Sequence, residues 1–197
     1  MEDKLKELLL ERKRRVIKDE NLKPSAVLLP LFIKNGNYHI LFVRRSQKVE
    51  DHKGEISFPG GLLEKSDEGL ENTALREAFE EIGIRPQDVK VLGMLDDMKT
   101  ISTHYRVTPV VGVIPYPYPF TIHRDEVDEI IEIPLNYLLN EGNRGKESIT
   151  RDEITYTGEV YHYKHYLIWG ATARILKNLF DVWITLKDLL YTRSFQS

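Results

Sequence analysis

Glu77, Glu80 and Glu81 stand three and four residues apart in the stretch ALREAFEEIGI (74–84). On a helix each residue turns the side chain by roughly 100°, so the three fall within an arc of about 100°. Like charges one turn apart oppose helix formation by roughly 0.2–0.5 kcal/mol per pair. A hard divalent cation gives a reason to crowd them. Clustered carboxylates with a backbone carbonyl are what Mg²⁺ or Mn²⁺ takes. Such an ion binds pyrophosphate oxygens, lowers the pKa of a bound water and stabilises charge on an attacked phosphorus. Alone, the string also describes an acidic solvated face opposite an apolar side of Ala74, Leu75, Ala78, Phe79 and Ile82. The residues upstream favour the cation. SFPGG (57–61) is a strand running into a proline and two glycines, which let the backbone turn sharply and approach a ligand. Arg76 lies one turn before Glu80 and can pair with it.

The elements that must hold these groups follow from pattern. The spacing predicts a helix starting near Asp67 to Leu70 and ending at Gly83, which sits where a left-handed cap belongs. SAVLLPLFIK (25–34) and YHILFVRR (38–45) flank Asn35-Gly36-Asn37, a hairpin signal. A short strand is expected at 55–58, with further strands at 88–95 and 105–114. PYPYP (115–119) is a loop, 126–139 carries mixed signals, a hairpin is expected around Thr157-Gly158, and GATARILKNLFDVW reads as a closing helix. Ahead of these, residues 3–20 read as a helix with a stripe of Leu5, Leu8, Leu9, Val16 and Ile17. Its Arg12–Arg15 run offers a cationic face to steer an anionic substrate, but reads first as a solvated face balanced by Glu7, Glu11, Asp19 and Glu20. Pro24 divides an N-terminal helical extension, 1–23, from a domain over 24–197. Alternating strands and helices make that domain α/β or α+β and layered.

Composition narrows the classes. The chain has 197 residues, 41% hydrophobic, enough for one domain with a proper core. It has no cysteine, which excludes disulfides, thiolate zinc sites and cysteine nucleophiles and fits a reducing cytoplasm. No apolar run approaches the roughly 20 residues that span a bilayer, and MEDKLKELLLERKRR lacks a signal peptide's apolar core. The net charge of −3 argues against a nucleic-acid binder.

The residues themselves resemble a known box. Gly61 followed by Arg76-Glu77-Ala78-Phe79-Glu80-Glu81-Ile82-Gly83-Ile84 looks like the Nudix motif G-x5-E-x7-R-E-u-x-E-E-x-G-u. Six residues separate Gly61 from Glu68, so either Asp67 or Glu68 fills the first acidic position. A second string, ILFVRRSQKVEDHKGEISFPGG (40–61), resembles the coenzyme A diphosphatase branch at Leu41, Arg45, Ser46, Gly54, Phe58, Pro59, Gly60 and Gly61. It departs at Phe42, Val43 and Glu50, the last where the branch carries arginine. That branch shows the same one-residue stretch with aspartate, favouring Asp67. Similarity continues through YRVTPVVGVIP, EVDEIIEIPLNYLL and HYLIWGATARIL.

The resemblance implies a Nudix fold, a mixed sheet sandwiched between helices, acting on a small-molecule nucleotide with Mg²⁺ or Mn²⁺. It implies that Glu80 and Glu81, with Glu77 and the Gly61 carbonyl, hold the metal, and that Arg76 orients a glutamate. The general base is Glu80 or Glu126, and Arg45, Ser46, His52 and Gly60 would bind substrate. The branch implies cleavage of coenzyme A or acyl-coenzyme A to 3′,5′-ADP and a 4′-phosphopantetheine species. Other nucleoside diphosphate derivatives, or a silent nucleotide-binding module, are the alternatives. A homodimer, with residues 1–23 meeting a second subunit, is left open.

Overall fold

The computed structural model describes residues 1–49, 51–100, 103–151 and 154–194. Asn35 and Gly36 both have positive φ, 51° and 76°, and turn β1 (Lys23–Lys34) into β2 (Asn37–Arg45). The hairpin pairs only at its closed end, Leu31–Lys34 against Asn37–Ile40. Beyond it the two strands splay, and β3 (Ile56–Ser57) and β4 (Gly60–Leu62) fill the fork. β3 pairs with Val43 and Arg44 of β2, and β4 pairs with Ser25–Val27 of β1. The Phe58-Pro59-Gly60-Gly61 turn is thereby wedged between two central strands, and the Leu28 amide donates to the Pro59 carbonyl at 2.9 Å.

The remaining strands flank this fork. After helix α2 (Leu70–Ile82) come β5 (Lys90–Met94), β6 (Met98–Lys99) and β7 (Tyr105–Val113). β7 runs parallel to β1 along nine residues and carries β5 and β6 on its far side. β8 (Val127–Pro134) pairs antiparallel along β2 and leads into α3 (Leu135–Leu139), resolving the mixed signals of 126–139. Eight strands thus form one mixed sheet. Pro30 is tolerated inside β1 because its nitrogen faces the gap between the β4 and β2 pairings. The neighbouring Leu31 carbonyl accepts from Ile114 on the other side, so Pro30 must point toward the fork.

Both sheet faces are buried: successive side chains of β1 and β2 point to opposite faces, and both strands are apolar and buried in near-continuous runs. Ala26, Leu28, Phe32, Leu41 and Val43 meet Ala74, Ala78 and Ile82 of α2. Leu29, Leu31, Ile40 and Phe42 face the opposite side, where α1 (Glu2–Glu11), α4 (Gly170–Ser194) and an antiparallel sheet of β9 (Arg144–Arg151), β10 (Ile154–Tyr163) and β11 (Tyr166–Ile168) close over them.

Three expectations are corrected. The N-terminal helix ends at Glu11 rather than near residue 20. Residues 13–19 are irregular, because Asp96 and Asp97 capture their backbone: the Arg15 amide donates to Asp96 and the Ile17 amide to Asp97, both at 3.0 Å. Arg12 and Arg14 are not on a solvated face either, but pair with those aspartates at 2.7 and 2.9 Å. Leu5 and Leu9 are buried in the main core, so this segment packs into the domain. The hairpin placed at Thr157-Gly158 is the middle of β10; the chain turns instead at Lys164, φ 54°. A Cβ at Gly158 would lie 2.2 Å from the Tyr156 hydroxyl.

Candidate active site

The arc of glutamates on α2 runs from solvent into the core. The Glu80 side chain is 51% exposed, Glu77 14%, and Glu81 is buried at 2%. This corrects the expected division of the helix, since Glu81 lies on the inward face and Phe79 is exposed. Gly83 caps the helix in the left-handed region, φ 76°, as the spacing predicts. The loop after β7 anchors the helix's end: the Thr121 amide donates to the Ile82 backbone carbonyl and the His123 amide to the Glu81 backbone carbonyl. The same loop brings Glu126 to the site, its carbonyl held by the Ser46 amide at 2.8 Å.

Arg76 organises the outer carboxylates. Its Nε and Nη2 meet both oxygens of Asp67 at 3.0 and 3.1 Å, Nη1 donates to Glu77 and Glu80 at 2.9 Å each, and Nη2 also donates to the Leu62 carbonyl. Such charge-assisted, forked pairing fixes a side chain's orientation as well as its energy. Asp67 further accepts from the Glu64 amide and the Thr73 hydroxyl, and the Arg76 guanidinium holds its pKa down to about 2. Glu68 is exposed. Of the two acids, Asp67 is the one the fold ties to the box.

Glu81 is the anomaly. Its Oε2 is buried with no hydrogen-bond partner, and burial raises its pKa to about 8, against the opposing pull of Arg45 and the Gly60 amide. Burial raises the Glu77 pKa as well. An orphaned buried carboxylate oxygen costs about 1–3 kcal/mol or more unless something pairs with it. Two glycines press the loop onto these groups. At Gly60 a Cβ would lie 2.3 Å from the Ala26 carbonyl, and at Gly61 it would lie 2.3 Å from Glu77 Oε1. The donor chemistry therefore fits a hard divalent cation. Among the described residues, however, no three acidic or imidazole groups converge as a ready cradle, since the Arg76 guanidinium takes oxygens of Glu77 and Glu80.

Gly60, Gly61, Arg45, His52 and Glu126 line a cavity of about 650 Å³. Its farther wall includes Tyr105, Tyr156, Trp169, Arg174 and Ile175. Arg45 Nε donates to the Asp51 carbonyl, and His52 Nδ1 lies 3.1 Å from Glu55, a hydrogen bond that raises the imidazole pKa. Ser46 does not reach the cavity. It is 2% exposed, and its hydroxyl accepts from the Lys48 amide within its own turn. Glu50, the departure from the branch pattern, lies outside the described residues. The α4 and β10 contributions had no local signal in the sequence beyond the aromatic and apolar character of YTGEVYHY and LIWGATARIL.

A mixed sheet thus carries a glycine-bounded carboxylate helix beside a cavity of about 650 Å³. The NUDIX domain family matches residues 22–152. The Uncharacterized Nudix hydrolase NudL of Citrobacter koseri is 36% identical over 159 residues, covering 81% of this chain and 82% of its own. The protein of the same name from Salmonella dublin is 36% identical over 170 residues, 86% and 88%. A MutT/nudix family protein from Enterococcus faecalis shares the fold, with a TM-score of 0.55 at 15% identity over 86% of this chain and 65% of that one. The chain belongs to the Nudix hydrolases, pyrophosphohydrolases of nucleoside diphosphate derivatives that generally need divalent metal ions. No helix among the described residues is long and apolar enough to cross a membrane.

Proposed function

We propose that the substrate is coenzyme A or an acyl-coenzyme A, cleaved by water at its pyrophosphate to 3′,5′-ADP and 4′-phosphopantetheine or its acyl form. One observation carries the reading. Arg45, Phe58, Gly60 and Gly61, four residues of the branch-like string, line a cavity of about 650 Å³ that extends into an aromatic and aliphatic wall. That is far more space than a pyrophosphate needs, and pockets of this size enclose ligands with extended arms.

A divalent cation, Mg²⁺ or Mn²⁺, held by Glu77, Glu80, Glu81 and the Gly61 carbonyl, would supply Lewis-acid stabilisation and an acidified water. The chain's own groups do the rest. Arg76, fixed by Asp67, sets the orientation of Glu77 and Glu80. Glu126 faces the cavity with 43% of its side chain exposed and His123 Nδ1 3.1 Å from one oxygen. Its carboxylate takes the proton of the attacking water, a role that needs reach before it needs a tuned pKa. Arg45 and His52, whose pKa is raised by its hydrogen bond to Glu55, bind substrate anions. A cysteine-free chain suits this work in a reducing cytoplasm.

Mass spectrometry of coenzyme A incubated with the protein and Mg²⁺ or Mn²⁺ tests the reading. The expected product is 3′,5′-ADP. No 3′,5′-ADP, with brisk cleavage of ADP-ribose or a dinucleoside polyphosphate, transfers the same carboxylate machinery to another substrate.

A further inference from the structure

Six of the thirteen arginines have a carboxylate partner among the described residues. Arg12 pairs with Asp96, Arg14 with Asp97, Arg44 with Glu129, Arg76 with Asp67, Arg85 with Asp88 and Arg144 with Glu141. The two arginines in the cavity wall, Arg45 and Arg174, have none among the described residues. Arg45 stands beside Glu81 and belongs to the site already described. Arg174 does not. It comes from α4, its Nη2 donates to the Lys99 carbonyl on β6, and its Nε is buried without a partner. A guanidinium that lines a cavity and has no counter-charge is poised for an anion, because its fork of donors matches phosphate.

Register places this cation relative to the metal-side backbone. Gly61 pairs with Ala26, Ala26 with Thr108, and the adjoining residues of β7 pair with Met98 and Lys99. The Lys99 carbonyl that anchors Arg174 is therefore three strands from Gly61, roughly 14 Å at the usual strand spacing. Trp169 and Tyr156 line the same wall, with ring centroids 6.0 Å apart, and offer faces on which a base can stack. A pyrophosphate seated at Gly60–Gly61 would leave the far cation to a second, separate phosphate on the nucleotide half of the substrate.

We infer that Arg174 is a specificity residue that reads a second anionic group of the substrate, a phosphomonoester on the ribose. This deepens the proposed reading, which rests on a nucleotide carrying a 3′-phosphate. The test is binding of 3′,5′-ADP and of 5′-AMP by calorimetry, in chelator and without added metal, to the wild type, Arg174→Gln and Arg174→Lys. Charge-assisted hydrogen bonds of this kind are worth roughly ten- to a hundredfold in affinity. The wild type is expected to prefer 3′,5′-ADP by that factor, Arg174→Gln to lose the preference, and Arg174→Lys to keep part of it. Equal binding of both nucleotides by the wild type, a preference that survives Arg174→Gln, or an equal loss for both nucleotides would each overturn the assignment; the last would mean that Arg174 only braces β6. Hydrolysis of coenzyme A, followed in a separate assay with metal, reports on the proposed reaction alone. Failure there with an intact 3′,5′-ADP preference would remove the reaction and leave the phosphate site standing.

Discussion

Glu81 is a residue whose stability and activity pull in opposite directions. Its buried Oε2 has no partner, so the folded protein gains nothing from that oxygen unless a cation binds. Glu81→Gln is expected to leave thermal stability unchanged or raise it by about 1 kcal/mol, and to lower kcat by about a hundredfold or more. Near wild-type turnover would remove the metal role. Asp67 behaves in the opposite way, since all its partners are in place. Asp67→Asn should cost about 2–3 kcal/mol in urea unfolding at pH 7. The sign with pH follows from a folded pKa of about 2 against an ordinary 3.8. The contribution is complete above the ordinary value and disappears as pH falls toward the folded one, so wild type and Asp67→Asn should converge in stability below about pH 2. That the three glutamates share one helix was legible from spacing, but the gradient of burial across them was not. That depends on which face of α2 meets Ala26 and Leu28, a contact set by distant strands.

At the scale of elements, the two glycines of the fork separate fold from function. Gly60→Ala places a Cβ 2.3 Å from the Ala26 carbonyl and 2.6 Å from Val27 Cα, both backbone atoms that can yield only by moving strands. A loss of about 2–3 kcal/mol in unfolding free energy is expected. Gly61→Ala meets only the far end of Glu77, which can swing away. It should therefore cost less stability than Gly60→Ala and at least about tenfold in kcat, as disturbed ligand orientation does. Equal stability losses in a denaturation series would contradict the contrast. The Asn35-Gly36 turn and the Gly83 cap were readable because everything that defines them is local. The strap at residues 12–17 was not, because its partners are Asp96 and Asp97, some 80 residues on. Asp97 is buried at 1%, and accepts from Arg14, the Ile17 amide and Thr108 Oγ1. Asp97→Ala should cost about 3 kcal/mol and loosen the N-terminal segment, seen as faster amide exchange over 12–17.

Across the whole molecule, the cavity is a joint product of segments that the sequence keeps far apart. β2 supplies Arg45, the fork supplies Gly60 and Gly61, the loop after β7 supplies Glu126, and β10 and α4 supply Tyr156 and Arg174. Motif spacing located the first two of these. It could not locate the last, because an aromatic or an arginine in a strand or helix has no signature that distinguishes a cavity wall from a core. The sheet solves this by burying both faces: α2 brings carboxylates to one side of the fork, while α4 and the small sheet roof the other. Substrate choice is therefore a property of the assembly. The most direct measurement is a competition in one vessel: equal concentrations of coenzyme A, ADP-ribose, a dinucleoside polyphosphate and a nucleoside triphosphate, with Mg²⁺ or Mn²⁺, followed by mass spectrometry. Coenzyme A should be consumed first, with 3′,5′-ADP and 4′-phosphopantetheine appearing in equal amounts. Depletion of any of the other three ahead of it, with no 3′,5′-ADP, would contradict the assignment.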